Sequence, residues 1–173
     1  MMHKTLFYFI DKINIQEIFK LKLNINIILR NYNKNFNIAE ILKLKKICKQ
    51  QRRKLFISND NRIANQLRLD GIYIPSFNNK IFVDRTKNLT ILGSAHNLKE
   101  INIKKFQNVE YLFLSSLYKN TKSKKFLGPI KFNLLSKNFN GKIIALGGIN
   151  SKNINMINKI NCVGFAGIRY FKK

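Results

Sequence analysis

The residues that could do chemistry in this chain stand directly after short apolar runs. Arg30 follows one such run, Asn59 and Asp60 follow the next, and Ser94 and His96 end a later one. A guanidinium, a carboxylate, a hydroxyl and an imidazole together are typical of a site for a phosphorylated ligand and a divalent metal. The chain has only 8 acidic residues against 33 basic ones, so an Asp in such a position is informative.

Some of these residues also have a purely structural interpretation. Asp60 could cap the helix that follows it, which Asp does well. His96 could be an exposed loop residue. Arg30 at the end of a strand is hard to explain by packing, and we interpret it as an anion contact.

Glycines follow two further apolar runs. Gly147 and Gly148 come after one run, and Gly167 lies near the end of the last. Glycines let backbone N–H groups approach phosphate oxygens, and a following helix, which we predict to be capped by Ser151, would add the positive end of its dipole. The alternative is that Gly147 and Gly148 serve only a tight turn.

These candidates need a scaffold that brings separate chain segments together. Eight short runs rich in β-branched and aromatic residues recur along the whole chain, at 6–10, 25–30, 54–58, 71–74, 89–93, 111–115, 142–146 and 164–168. Their spacing is that of β-strands alternating with helical connectors, and their continuous apolar character is typical of a parallel sheet covered on both faces. We predict one domain, 1–173, with an α/β fold.

Four connectors carry helix signals. Asn37 is predicted to cap a helix with an apolar stripe that consists of Ile38, Ile41, Leu42 and Cys48. The segment 61–69 has a similar apolar face, Pro129 suits the first position of a helix, and the helix capped by Ser151 follows the glycines. The segment 77–88 gives no firm helix signal.

Eight such units predict a (β/α)8 TIM barrel, although the chain is short for one. Barrels of this type usually need about 250 residues, whereas this chain has 173 and stops soon after its eighth strand. We therefore predict a pared-down barrel that lacks a C-terminal closing helix, with an open sheet as the alternative. The uncovered flank would be the contact surface of a homo-oligomer.

Composition narrows the class of protein further. The formal net charge is +25, but 26 Ile and 25 Asn accompany the lysines, which indicates a compositional bias and favours a solvated basic surface over a nucleic-acid site. No apolar run reaches the roughly 20 residues of a membrane span, and no signal peptide is evident. The chain has only two cysteines, which favours a reducing compartment, so we expect a cytoplasmic protein without a membrane partner.

Several segments occur in an order and at separations that are specific when taken together. They are Ser58-Asn59-Asp60, the Asp-Gly pair inside 69–74, Ser94-Ala95-His96, the segment 114–128, the Ala-Leu-Gly-Gly-Ile of 145–149, and the last run, 164–168. In this order they resemble the thiamine phosphate synthase family, including its thiazole tautomerase branch. The resemblance spans nearly the whole chain.

The resemblance implies a reaction and a set of roles. The family joins a hydroxymethylpyrimidine pyrophosphate to a thiazole phosphate and releases pyrophosphate with the help of Mg²⁺. It implies that Asp60 holds the metal and that Asn59 contacts the pyrimidine substrate. Arg30 and Ser94 would contact the pyrophosphate, and Lys122 (or Lys124) would neutralise the leaving group. The residues that would bind the thiazole phosphate are Thr121, Gly147, Gly148 and Gly167.

The chain departs from the family pattern around Arg30 and after the fourth strand. The Gln and Lys that flank the family's Arg are Ile28 and Tyr32 here, the family's His is Tyr73, and the second metal-binding Asp is missing from 75–79. These losses weaken the handling of pyrophosphate. Two alternatives therefore stay open: a thiazole tautomerase-like enzyme with His96 as its base, and a non-catalytic basic barrel that binds RNA.

Overall fold

The protein is a closed parallel barrel. The structure, a computed structural model, describes residues 4–32, 36–81, 88–120, 125–168 and 170–171. The strands pair in chain order, and the eighth pairs with the first, so the predicted barrel is confirmed and the open sheet is wrong. The strands are β1 (Thr5–Ile10), β2 (Ile25–Leu29), β3 (Leu55–Ser58), β4 (Gly71–Ile74), β5 (Thr90–Ala95), β6 (Tyr111–Ser115), β7 (Lys142–Leu146) and β8 (Gly164–Gly167).

Within the described residues, five α-helices and one 3₁₀ helix connect these strands. They are α1 (Ile15–Lys20), α2 (Ile38–Gln50), α3 (Asn61–Gln66), α4 (Leu98–Phe106), α5 (Gly128–Ser136) and the 3₁₀ helix (Ile154–Lys159). Asn37 caps α2 as predicted, because its side chain accepts a hydrogen bond from the Glu40 N–H. Helix α4, which the apolar periodicity did not indicate, is capped in the same way by Asn97 through Glu100.

Two details of the predicted helices are wrong. Leu42 does not join the buried stripe of α2: it is 47% exposed, and Leu44 is buried in its place. The chain after the two glycines forms a short 3₁₀ helix after Asn153 and not a helix capped by Ser151, which lies in an exposed turn. Asn153 also replaces Ser151 as the polar side chain that organises this turn.

Alternation along the strands separates an inner core from an outer one. Nine buried side chains, at least one from each strand, fill the barrel interior: Phe7, Phe9, Ile28, Phe56, Tyr73, Leu92, Phe113, Ile144 and Ala166. The outward-facing residues pack under the helices. Because the interior is solid, the site must lie at one end, and in (β/α)8 barrels that end is formed by the C-terminal ends of the strands.

The outer faces of β1, β7 and β8 are only partly covered. After β8, the Phe171 ring stacks on Phe165 at 5.6 Å and meets the ring of Tyr8 edge-on at 6.1 Å. Beside these rings runs an open groove of about 2300 Å³, whose lining includes Leu6 and Ile143. Among the helices that the structure describes, none is both long enough and apolar enough to cross a membrane.

Candidate active site

Arg30 lies at the C-terminal end of β2 in a fixed orientation. Its Nε and Nη2 donate to Asp11 Oδ1 and Oδ2 at 3.0 and 3.2 Å, and its Cζ lies 4.8 Å from the centre of the Phe9 ring. The bidentate pair and the aromatic face together set the plane of the guanidinium. The sequence-predicted anion contact is therefore a preoriented cation at the mouth of the barrel.

Tyr73 and Ser94 form a buried hydrogen bond next to this cation. The Tyr73 hydroxyl donates to Ser94 Oγ at 2.9 Å, and the Tyr73 ring meets Phe9 edge-on at 5.3 Å. Burial is the main reason that the pKa of Tyr73 is raised, and the bond to Ser94 opposes it. Tyr73 therefore stays protonated, and Ser94 is held at the top of the inner core.

The end of β3 carries the amide and the carboxylate that the sequence singles out. The Asn59 N–H donates to the Tyr73 carbonyl at 3.0 Å, and Asn59 Oδ1 accepts from Asn78 Nδ2 at 2.7 Å. Asp60 Oδ1 accepts from the Ile63 N–H at 2.9 Å and so caps α3. The helix-cap interpretation of Asp60 is confirmed. A carboxylate has about four acceptor positions, so capping leaves it able to take a further ligand.

An exposed aromatic pair closes over the same end of the barrel. Tyr32, from the loop after β2, meets Phe77, from the loop after β4, edge-on at 5.4 Å. Partial burial is the main reason that the pKa of Tyr32 is raised; Arg30 lowers it, and Asp11 raises it. The loops after β2 and β4 thus meet across the end of β3.

His96 stands apart from this network. Its Nδ1 lies 2.9 Å from Glu100 Oε2, which also accepts from the His96 backbone N–H. The imidazole is about half exposed and is turned toward α4. The structure therefore does not join His96 to Arg30, Asn59 or Ser94.

The other side of the mouth is built from backbone. Gly147 and Gly148 have φ values of +97° and +70°, and the loop after β6 packs directly on them. The Tyr118 N–H donates to the Gly147 carbonyl at 3.1 Å, and a Cβ on Gly148 would come within 2.5 Å of the Tyr118 oxygen. Both glycines are therefore required by a close approach between two loops.

The turn after these glycines is closed by asparagines. Asn153 Nδ2 donates to the Gly148 carbonyl at 2.9 Å, and Asn153 Oδ1 accepts from the Asn150 N–H at 2.9 Å. This exchange explains why Asn153 and not Ser151 organises the turn. Gly167 ends β8 where a side chain would fit, since an added Cβ would make ordinary van der Waals contact with Tyr170 at 3.5 Å.

Apart from His96, the predicted site residues thus divide into three groups. The first group is Arg30, Asn59 and Ser94, which belong to one series of contacts. Arg30 contacts Phe9, Phe9 contacts Tyr73, and Tyr73 is hydrogen-bonded to both Asn59 and Ser94. Asp60, Gly147, Gly148 and Gly167 lie at the same end of the barrel without such contacts. Thr121 and Lys122, with Lys124, lie outside the described residues.

Sequence reasoning missed Asn78 and Lys104. Asn78 lies in 75–79, where the family pattern has its second Asp, and that coincidence was the available signal. Lys104 is fully buried, and burial lowers its pKa to about 8, with Glu100 opposing the shift. No comparable signal in the sequence marked Lys104, because this residue lies in α4, a helix that the apolar pattern did not predict.

The described residues contain no group of three or more His, Cys, Asp or Glu side chains that could hold a metal. The donor set at the end of β3 consists of the Asp60 carboxylate and the neighbouring Ser58 hydroxyl, which is buried without a partner among the described residues. Mg²⁺ commonly takes one or two protein carboxylates together with substrate phosphates. This donor set fits a Mg²⁺ that arrives with its ligand.

Fold and site together define the class of protein. A closed (β/α)8 barrel that brings a cation, a carboxylate, an amide pair and glycine turns to the C-terminal ends of its strands has the layout of (β/α)8 barrel enzymes, whose sites lie at that end. The family model described as thiamine monophosphate synthase matches residues 15–171. The chain belongs to the thiamine monophosphate synthase family.

Individual relatives agree with this assignment. A thiamine-phosphate synthase of Staphylococcus epidermidis is 31% identical over 123 residues, which are 67% of this chain and 58% of that protein. One from Methanococcus maripaludis is 29% identical over 128 residues, 72% of this chain and 62% of that protein. The matched segment is therefore less than two thirds of either relative.

A solved structure shows the same fold. The thiamine phosphate pyrophosphorylase from Pyrococcus furiosus superposes with a TM-score of 0.75 over 95% of this chain and 85% of that one. The two sequences are 20% identical, so the likeness concerns the architecture.

Proposed function

We propose that this chain is a thiamine phosphate synthase. In the proposed reaction, the bond between the pyrimidine methylene carbon and the pyrophosphate oxygen breaks, and the thiazole nitrogen bonds to that carbon. The electron pair of the broken bond leaves with the pyrophosphate. The observation that carries the proposal is that Arg30, Asn59 and Ser94 form one contact network in a chain of this family.

Arg30 is the residue to which we assign the pyrophosphate. The transition state accumulates negative charge on the leaving group, and a fixed cation lowers the barrier most because it does not have to reorient. Asp11 and Phe9 supply that fixation. Ser94, whose hydroxyl oxygen already accepts from Tyr73, keeps its own O–H as a donor for the same group.

Asp60 and Ser58 are the residues to which we assign Mg²⁺. When bound, the metal would neutralise the charge that develops on the pyrophosphate. A second carboxylate in the loop after β4 would strengthen the metal site. This chain has Asn78 there, and the Asn78 amide donates to Asn59. We therefore expect weak binding of Mg²⁺ alone and tighter binding together with pyrophosphate.

The glycine side is the part to which we assign the thiazole phosphate. Gly147 and Gly148 follow β7 and Gly167 ends β8, and none of them has a side chain that would keep phosphate oxygens from the backbone N–H groups. We keep Thr121 and Lys122 in the proposed site as a thiazole phosphate contact and a leaving-group contact.

A two-substrate assay tests the proposal. Purified chain is mixed with hydroxymethylpyrimidine pyrophosphate and thiazole phosphate, and pyrophosphate release is followed with and without Mg²⁺. Release that requires both substrates and Mg²⁺ supports the proposal. No release overturns it; proton exchange on the thiazole phosphate alone would then favour the tautomerase, and salt-sensitive RNA binding without turnover would favour the basic barrel.

A further inference from the structure

The segment after β4 carries Phe77 and Asn78, which contact Tyr32 and Asn59 at the mouth of the barrel. The segment nevertheless has few hydrogen bonds of its own. Its one internal backbone hydrogen bond among the described residues runs from the Asn78 N–H to the Pro75 carbonyl at 3.1 Å. Asn78 Oδ1 also accepts from the Lys80 N–H at 2.9 Å. Something outside the segment must therefore hold it in place.

Lys104 on α4 supplies that support. Its ammonium donates to the carbonyls of Pro75 and Asn78, both at 2.9 Å, and to Gln107 Oε1 at 2.8 Å. An ammonium has three N–H donors, and here each has an acceptor. Two of the three acceptors are backbone atoms of the segment after β4.

Gln107, one turn further along the same stretch of chain, completes the support. Its Nε2 donates to the carbonyls of Asn78 and Lys80 at 2.8 and 2.9 Å, while its Oε1 accepts from Lys104. Lys104 and Gln107 therefore hold one another and three carbonyls of the segment. We call these two residues the lysine anchor.

Burying the Lys104 ammonium beneath the segment after β4 carries a desolvation cost, and the fold leaves space for the side chain. Lys104 is fully buried, and burial of a charged group is unfavourable unless hydrogen bonds compensate for the lost water. An added Cβ at Gly93 on β5 would come within 2.7 Å of the Val109 side chain and 3.1 Å of Lys104 Cδ, so the absence of a side chain there makes room for both residues. Both the glycine and the complete set of acceptors indicate a specific position for this side chain.

The lysine anchor is connected to the candidate site through one residue. Asn78, whose carbonyl accepts from both anchor side chains, uses its own Nδ2 to donate to Asn59 Oδ1 at 2.7 Å. With Oδ1 engaged, the Nδ2 group is the part of the Asn59 amide left to donate to a ligand, and its two N–H groups suit the acceptor atoms of a pyrimidine ring or a phosphate.

We propose that Lys104 is a positioning residue of the pyrimidine pyrophosphate subsite: with Gln107 it fixes the segment after β4, and through Asn78 it sets the orientation of the Asn59 amide. This inference rests on the proposed synthase function. Lys104 acts through the protein and does not touch the substrate.

The main test compares Lys104→Met with Lys105→Met. Lys105 is the adjacent residue on α4 and is exposed. We expect Lys104→Met to speed amide hydrogen exchange in 76–80 by about tenfold or more and to raise the KM for the pyrimidine pyrophosphate by about tenfold, a change worth about 1.4 kcal/mol. The KM for the thiazole phosphate should change by less than about twofold, because the glycine side is untouched. Lys105→Met should match the wild type throughout.

A second set of variants covers failure of Lys104→Met to fold. Gln107→Met removes two hydrogen bonds from the same segment. It should speed amide exchange in 76–80 and raise the KM for the pyrimidine pyrophosphate, each by less than Lys104→Met does. In an Asn78→Ala background, loss of the anchor should raise the KM far less than it does in the wild type, because the connection to Asn59 is already cut.

The outcomes separate the inference from the proposed function. A wild type without turnover overturns the proposed function, and this inference with it. A wild type that turns over, with anchor variants that keep its exchange in 76–80 and its KM for the pyrimidine substrate, overturns this inference alone.

Discussion

The two sides of the barrel mouth are built in different ways. Between β1 and β5 the mouth consists of side chains that hold one another, as in the pairs Arg30–Asp11 and Asn59–Asn78. Between β6 and β8 it consists of backbone, with two glycines at positive φ packed against the loop after β6.

This difference determines whether a substitution on a given side of the mouth affects ligand binding and turnover or affects folding. A side-chain pair can be altered one residue at a time, and the expected loss is in binding or turnover. The glycine side leaves no space for a Cβ at Gly147 or Gly148, so a substitution there acts on folding first. The departures from the family pattern at Ile28, at Tyr32 and within 75–79 all fall on the half of the mouth that is built from side chains.

The largest expected effect is on turnover when Asp60 becomes Asn. We expect Asp60→Asn to abolish Mg²⁺-dependent pyrophosphate release, a loss of about a hundredfold or more, because it removes the proposed metal carboxylate. Asn is as good a helix cap as Asp, so the free energy of unfolding should change by less than about 0.5 kcal/mol. Steady-state kinetics and urea unfolding of the same preparation measure both.

Asp70→Asn is the matched control for that prediction. Asp70 Oδ2 accepts from the Leu55 N–H at the start of β3, at the opposite end of the barrel. Its turnover should equal that of the wild type. Full activity in Asp60→Asn would remove Asp60 from the site.

The next largest effect is on stability at the glycine side. Gly148 and Gly128 have nearly equal φ values, +70° and +71°, but a Cβ on Gly128 would have no neighbour within 4 Å. We expect Gly128→Ala to cost about 1 kcal/mol from its backbone conformation and Gly148→Ala to cost about 3 kcal/mol, because a clash is added. Urea unfolding compares them, and equal costs would contradict the required close approach.

A smaller effect is expected on ligand binding at the side-chain half. Arg30→Ala should raise the dissociation constant for pyrophosphate by about tenfold or more, which corresponds to about 1.4 kcal/mol. Arg30→Lys should recover only part of the loss, because an ammonium cannot make the bidentate pair with Asp11. Titration calorimetry measures both, with the exposed Arg68→Ala as control; equal affinities in all variants would remove Arg30 from the site.

The smallest effect concerns the pH dependence of stability. Burial lowers the pKa of Lys104 to about 8, whereas an unfolded lysine titrates near about 10.4. Between these values the unfolded chain binds a proton that the folded chain has released, so the unfolding free energy rises with pH. From pH 8 to 9 we expect the wild type to gain up to about 1 kcal/mol relative to Lys104→Met. Lys105→Met should follow the wild type, and a Lys104→Met curve parallel to both would contradict the lowered pKa.

The barrel could be predicted because its signal is repeated. Each strand is a continuous apolar run, and the runs recur at the pitch of strand–helix units, so errors at single elements did not matter. The ends of parallel strands must meet at one end of a barrel, which is why Arg30, Asn59 and Ser94 could be placed in one site before any contact was known.

What could not be predicted depends on partners that are distant in sequence. The acceptors of Lys104 in the segment after β4 precede it by 26 and 29 positions, and one lysine among so many carries no mark of burial. By contrast, the pairing of His96 with Glu100 follows the spacing of one helical turn and was open to prediction. The predicted helix cap at Ser151 is wrong because the Asn153 side chain closes the same turn, accepting from the Asn150 N–H and donating to the Gly148 carbonyl.

The open groove along β1, β7 and β8 should influence how this protein behaves at different salt concentrations. With a formal charge of +25, copies repel one another strongly in dilute buffer. At physiological ionic strength that repulsion reaches only about 8 Å, so apolar contacts at the groove, whose lining includes the half-buried Phe171 ring, should then count for more. Solubility should accordingly be highest at low salt, and retention on a hydrophobic column should rise with salt more steeply than for a barrel whose wall is fully covered.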